Sequence, residues 1–138
     1  MTSINNKLLI KNIYTNIIKT SRNKSFFLDF NVDDTVEGRF DIIILHSFIV
    51  FNFFININDK TSSLPQMLFD HMFHDFDSSL REMGFGDIAV NKRMKQFIKA
   101  FYGRIENYSK SLSQFNELAD DTLLKKTILR NIYKDKET

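Results

Sequence analysis

The sequence has no cysteine and no tryptophan, and only one proline and four glycines in 138 residues. Without cysteine, a disulfide framework, a thiolate zinc site, an iron–sulfur cluster and a cysteine nucleophile are excluded. An all-β sandwich or barrel needs a turn signal about every 8–12 residues, so the shortage of glycine and proline argues against one. The composition therefore favours long helices.

Neither sign of charge predominates, because 19 basic and 17 acidic residues give a formal net charge of +2. A dedicated nucleic-acid binder carries a larger basic excess, so DNA is not an expected partner. Hydrophobic residues make up 43% of the chain and include 15 phenylalanines. This is enough for one core, and we expect one helical domain over residues 1–138.

Export and membrane-spanning signals are not visible in the sequence. Residues 1–7 lack a charged region that leads into an apolar run. The most apolar stretch, residues 42–57, contains four polar side chains and is shorter than the roughly 20 residues that cross a bilayer. We therefore expect membrane contact to be peripheral at most.

Apolar residues recur at three- and four-residue spacing along most of the chain, which predicts amphipathic helices. These patterns cover residues 5–20, 64–83, 90–115 and 116–133. A segment that is apolar on nearly every side, about 35–56, predicts a buried central helix, with Asp34 as its N-cap and Glu37 as the reciprocal partner. A short helical turn and loop are expected at 21–33, and Asn116 is the predicted cap of the last helix. The predicted fold is all-α, with about five to six helices around the central one.

Two glycines carry specific predictions. Gly84 follows the fourth helix and is suited to a left-handed C-terminal stop. Gly103 lies inside a helix, where glycine costs about 1 kcal/mol relative to alanine. The simplest reason for it is the close approach of another helix.

The best metal-ligating cluster contains His71 and His74 among aspartates on one predicted helix. Imidazole and carboxylate suit zinc, iron or manganese, so a small metal- or ligand-binding helical protein is the alternative function. However, a di-iron bundle needs a matching Glu-x-x-His segment on another helix, and the sequence has none. The same residues also fit a solvated, charged helix face.

Other catalytic constellations are missing from the sequence. His46 stands in the apolar central helix, where a core histidine bonded to a carbonyl or hydroxyl is the simpler interpretation. No serine lies in a strand–helix elbow, and no glycine-rich phosphate loop follows a strand. We therefore expect no enzymatic activity and no cofactor.

A basic ridge is predicted on the fifth helix. Lys92, Lys95 and Lys99 occupy positions i, i+3 and i+7, and Tyr102 continues their line. Such a ridge could contact the phosphates of an RNA or an acidic peptide. The pattern equally fits the solvent face of an amphipathic helix.

Several ordered runs resemble the ubiquinol-cytochrome c chaperone family over about residues 14–133. The most distinctive are Leu-Arg-Glu-Met-Gly-Phe-Gly-Asp at 80–87 and Phe-Tyr-Gly-Arg at 101–104. The other runs lie at 37–41, 45–46, 68–70, 92–95, 100 and 130–131. Their order and spacing make the resemblance specific.

The resemblance implies an all-α, non-enzymatic chaperone that assists assembly of the cytochrome bc1 complex (complex III) of the respiratory chain. It implies cytochrome b or another subunit of that complex as partner, with the ribosome as a further candidate. A compact bacterial-type member is expected, because no N-terminal targeting region is visible. Its expected location is the cytoplasm, with peripheral contact at the inner membrane.

The predicted partner-binding residues are charged or polar-tipped members of the matched blocks. They are Arg39, Arg81, Asp87, Lys92, Arg93, Lys95, Tyr102 and Arg104. They could form one surface or one buried network. Phenylalanines outside the clearest helical stripes could either bind an apolar client or fill the core: Phe26, Phe27, Phe30, Phe53, Phe54 and Phe85.

Overall fold

The computed structural model describes residues 2–56 and 63–134. Within these ranges the chain forms α-helices and no β-strand, which confirms the all-α prediction. The helices are α1 (Thr2–Ser21), α2 (Ser25–Leu28), α3 (Val36–Asn56), α4 (Leu64–Glu82), α5 (Asp87–Leu118) and α6 (Thr122–Ile132). None of the helices in the described ranges is long and apolar enough to cross a membrane.

Helix α3 is the central helix, as its apolar sequence predicts. It packs against α1, α4, α5 and α6. Ile44 and Ser47 are completely buried, and the Ser47 hydroxyl donates to the carbonyl of Ile43 at 2.7 Å. The buried Ser47 hydroxyl is therefore satisfied within its own helix.

Two groups of buried side chains form the core. The larger joins α1, α3, α4 and α5 and contains most of the buried aromatic rings, including Phe40, Phe48, Phe73, Phe101 and Tyr108. The smaller joins the segment after α2 to α3 and α6, through Val32, Ile42 and Ile132. The second group positions α6 and α2 on the first half of α3.

The N-cap of α3 is Thr35, so the prediction of Asp34 was wrong. The helix begins at Val36, and the Thr35 hydroxyl accepts from the Gly38 amide at 3.0 Å. A cap must immediately precede the first helical residue to reach the third amide of the helix. Asp34 lies one residue too early, and it accepts from Arg39 Nε at 2.7 Å instead.

The corner between α4 and α5 confirms the predicted stop at Gly84. Gly84 has φ +96°, its amide donates to the Arg81 carbonyl at 3.0 Å, and the Phe85 amide donates to the Leu80 carbonyl at 3.2 Å. This pair of bonds is the Schellman motif, which needs a left-handed residue at this position.

The boundary between α5 and α6 differs from the prediction. Asn116 does not cap the last helix, because α5 continues to Leu118 and ends at Ala119, whose φ is +52°. Helix α6 begins at Thr122, and the side chain of Asp120 accepts from the Thr122 amide at 3.0 Å. The polar side chain that accepts a backbone amide at this turn is therefore that of Asp120, four positions after the predicted Asn116.

The prediction of a close helix crossing at Gly103 was also wrong. A Cβ added there would meet no atom within 4 Å, and the residue is exposed. The packing that a glycine permits is found at Gly38 instead, at the start of α3.

Candidate partner-binding site

Arg104, one of the predicted partner-binding residues, is half-buried in a charge cluster around the buried carboxylate of Asp41. Its guanidinium contacts a carboxylate oxygen of Asp41, whose side chain is 1% exposed. Lys134 Nζ donates to the other oxygen of Asp41 at 2.8 Å and to the Asn131 carbonyl at 2.8 Å. Burial lowers the pKa values of both Arg104 and Lys134. This cluster ties α3, α5 and the end of α6 together.

Arg81, Asp87 and Arg93 lie at the corner between α4 and α5. Arg81 Nε donates to Asp77 at 2.7 Å, and its terminal nitrogen pairs with Asp87. The Arg93 guanidinium lies 4.4 Å from the centre of the Phe85 ring. The distinctive run at 80–87 thus makes a turn in which the Arg81 side chain pairs with that of Asp87.

Lys92, Lys95 and Tyr102 are exposed along α5, with Lys99 between them. The Tyr102 ring is stacked on Phe69 with centroids 5.1 Å apart, yet it stays 53% exposed. The structure therefore places these residues on one solvent-facing ridge, separate from the half-buried position of Arg104.

Arg39 lies away from that ridge, on the rim of a groove between α1, the start of α3 and α4. The groove encloses about 240 Å3, and Arg22 and Asp75 share its rim. Asp75 accepts from the Tyr14 hydroxyl at 2.6 Å. The eight predicted residues accordingly occupy the rim of this groove, the α4–α5 corner, the α5 ridge and the charge cluster around Asp41, and they do not form a single site.

The histidines of α4 face different surroundings. The His71 ring lies edge-on against Tyr14 with centroids 5.0 Å apart, whereas His74 is exposed. Across residues 2–56 and 63–134, no three metal-ligating side chains come together. Within those residues, the alternative metal site at His71 and His74 therefore has no third ligand.

His46 is half-buried and hydrogen-bonded, as predicted for a core histidine. Its Nδ1 donates to the Ile42 carbonyl at 2.8 Å and lies 3.3 Å from the Ser21 hydroxyl. The Phe26 ring contacts it edge-on at 5.4 Å. The ring therefore serves the packing between α1, α2 and α3.

An apolar groove lies between α1 and the second half of α3. It encloses about 510 Å3, within the range of sites that hold small molecules or anchoring side chains. Its lining comprises Ile13, Asn16, Ile17, Thr20, His46, Ile49, Val50, Phe53 and Phe54. Ile49 and Phe53 remain 56% and 59% exposed. We refer to this feature as the α1–α3 groove.

Most of the α1–α3 groove was missed by the sequence reasoning. A signal for it was present in the sequence. Residues 42–56 contain no charged side chain, so this helix carries more apolar side chains than its core-facing side can bury. Of the phenylalanines outside the stripes, Phe54 is buried, Phe30 and Phe53 are exposed, and the other three are half-buried. Only Phe53 combines exposure with a place in the groove.

Comparisons with known proteins show what this chain is similar to. The family model of the ubiquinol-cytochrome C chaperone matches residues 28–138. A crystal structure described as the Cbp3 homolog from Brucella abortus superposes with a TM-score of 0.80 and 35% sequence identity. The match covers 99% of this chain and 74% of that one. No curated protein shows a significant match.

Proposed function

Since the chain belongs to the ubiquinol-cytochrome c chaperone family, we propose that it is a non-enzymatic assembly chaperone of the bc1 complex and that newly made cytochrome b is its client. Membership rests on a family match over most of the chain and on the similarity to the Brucella protein. The matched run at 80–87 forms the corner between α4 and α5, and Phe101 and Arg104 of the second run pack inward. We therefore place the client on a separate surface.

The α1–α3 groove is the observation that carries this proposal. Its walls are almost wholly apolar, and Ile49 and Phe53 project into it from the central helix. A groove of this kind binds an amphipathic or apolar helix through anchoring side chains. Covering the client's apolar surface would keep it from aggregating before assembly.

Location and further partners follow from the same assignment. The chaperone would work in the bacterial cytoplasm, at the surface of the inner membrane, where cytochrome b is inserted. The exposed lysines of the α5 ridge provide a second surface, suited to ribosomal RNA. The two surfaces lie on different helices, so they can be tested separately.

The experiment is a gene deletion that is complemented with groove variants. We expect the deletion to lower cytochrome b and the assembled bc1 complex, and the wild-type gene to restore both. The double variant Ile49→Asp/Phe53→Asp should fail to restore them, because two carboxylates would face the apolar client. Both positions are already exposed, so the fold should persist.

Ile88→Asp is the matched control, because Ile88 is 88% exposed and lies at the start of α5. It should complement fully. Unchanged bc1 levels in the deletion strain would overturn the function. Full complementation by the double variant would remove the client from this groove.

A further inference from the structure

The positive charge of this chain is unevenly distributed. Residues 1–28 contain five basic residues and no aspartate or glutamate. The other 14 basic residues share 29–138 with all 17 acidic ones. Such an asymmetry indicates a local partner of negative charge even where the net charge of the whole chain is small.

Helix α1 carries three of these five cations and places them beside exposed leucines. Leu8 and Leu9 are 60% and 43% exposed, and Lys7, Lys11 and Lys19 are exposed as well. Within the described ranges, none of these three lysines forms an ion pair. The outer face of α1 thus combines free positive charge with large apolar side chains.

This face continues into the α1–α3 groove. Asn16 and Thr20, on the edge of α1, line the groove together with Ile49 and Phe53. Because residues 42–56 have no charged side chain, α3 adds apolar surface and no negative charge. The outer face of α1 and the exposed part of α3 therefore contribute no acidic side chain, and Asp75 of α4 lies beside Lys19 on the flank of α1 away from the groove.

The chemistry of this region fits a lipid surface with negative headgroups. Basic side chains near such a surface are attracted by about 1 kcal/mol each, and exposed leucines gain by entering the interfacial layer. A nucleic acid would leave Leu8 and Leu9 in water. An apolar helix would seat in the groove rather than on the convex outer face of α1.

We infer that the outer face of α1 docks on a membrane that contains anionic phospholipids. Leu8 and Leu9 enter the interfacial layer, and Lys11 and Lys19 lie at the level of the headgroups. The inference rests on the proposed function only in placing the chaperone at the membrane, and it specifies the face and the lipid chemistry. In this orientation the α1–α3 groove opens beside the bilayer from which an apolar client would be received.

Vesicle sedimentation of the purified protein tests the inference. The protein should bind vesicles made of equal parts of phosphatidylcholine and phosphatidylglycerol, and it should bind phosphatidylcholine vesicles far more weakly. Added salt should reduce binding to the anionic vesicles. Lys11→Gln/Lys19→Gln should weaken that binding about 30-fold, since each lysine near the surface contributes about fivefold.

Lys95→Gln/Lys99→Gln is the matched control, because it removes the same charge from the exposed ridge of α5. It should keep most of the wild-type binding. An equal loss in both variants would assign the attraction to overall charge and would overturn the docking face. Absence of binding to the anionic vesicles at low salt would overturn the inference altogether.

A fluorescence measurement tests the apolar part of the face. The chain has no tryptophan, so Leu9→Trp introduces a single reporter, and its emission should shift to shorter wavelength on anionic vesicles. Ile88→Trp, at the exposed start of α5, should show no shift. Concentration-dependent self-association that shifts the Leu9→Trp emission without vesicles would assign the face to a second copy and would contradict the inference.

Neither measurement involves cytochrome b. Failure of vesicle binding with intact complementation would remove the membrane face and leave the client groove. The neutral variant Ile49→Ala/Phe53→Ala adds no negative charge to this region, so normal vesicle binding by that variant together with failed complementation would support both proposals.

Discussion

Gly38 lies directly against the backbone of Asp33. A Cβ atom added to Gly38 would be 1.9 Å from the Asp33 carbonyl oxygen. That oxygen is held in place, because it accepts from the Thr35 amide at 2.9 Å, while the Thr35 hydroxyl accepts from the Gly38 amide. The entrance to the central helix is therefore built around the missing side chain of Gly38.

Gly38→Ala should lower the free energy of unfolding by about 1–3 kcal/mol, because a backbone atom must move to admit the methyl group. Gly103→Ala is the matched comparison within another helix. It should raise the unfolding free energy by about 0.5–1 kcal/mol, since its Cβ enters open space and alanine favours helix. Urea titration of both variants measures these changes. Equal effects at the two glycines would contradict the assignment of the close contact to Gly38.

The helices could be predicted from the sequence because their apolar spacing is local information. Their ends were less predictable where several residues can cap. Asp34 and Thr35 are both good N-cap residues, and the choice between them depends on where Gly38 meets Asp33. Likewise, Asn116 can begin a helix, but it lies within α5, which continues to Leu118 before the left-handed Ala119.

The candidate site was less predictable because it depends on contacts between distant segments. Arg104 belongs to a distinctive run of sequence, yet its partner Asp41 lies on another helix and buries its charge. Phe53 was one of six phenylalanines that could have served either the core or a client. Both Phe53 and Phe54 line the groove, and only the packing of α1 against α3 shows that Phe54 is buried in the core whereas Phe53 stays exposed.

Tyr14 should make the protein sensitive to alkaline pH. Burial, and then its hydrogen bond to Asp75, raise the pKa of Tyr14 well above its usual value. Above about pH 10 the unfolded chain releases this proton while the folded protein keeps it, so stability falls as pH rises. The slope is at most about 1.4 kcal/mol per pH unit for one tyrosine.

Tyr14→Phe should therefore lose stability less steeply than the wild type between about pH 10 and 11.5. Urea titrations at several pH values measure the two slopes. Comparing slopes rather than single values removes the constant effect of the lost hydrogen bond to Asp75. Parallel curves for wild type and variant would exclude Tyr14 as a source of the alkaline sensitivity.

The α5 ridge should govern any association with ribosomes. Reversing Lys92, Lys95 and Lys99 to glutamate should reduce co-sedimentation with ribosomes by about tenfold or more, in a salt-dependent manner. The same reversal at Lys110, Lys125 and Lys126, which are also exposed, serves as the control. A ribosome profile that is unaltered by the first set would remove this surface from the proposal.

Asp41 holds two cations at the junction of three helices. Its oxygens contact Arg104 and Lys134, and its side chain is almost inaccessible to water. Removing one partner of a buried ion pair leaves uncompensated charge. The exposed pair of Arg39 and Asp34 offers the same chemistry in water.

Asp41→Asn should consequently lower the free energy of unfolding by about 1–3 kcal/mol, because the two cations that it leaves unpaired are partly exposed, whereas Asp34→Asn should change it by no more than about 1 kcal/mol. Urea titration of the two variants gives the comparison. Adding Lys134→Met to Asp41→Asn should recover part of the lost unfolding free energy, because only Arg104 then lacks its counter-ion. If the double variant were less stable than Asp41→Asn, Lys134 would stabilise the end of α6 through its stem rather than through Asp41.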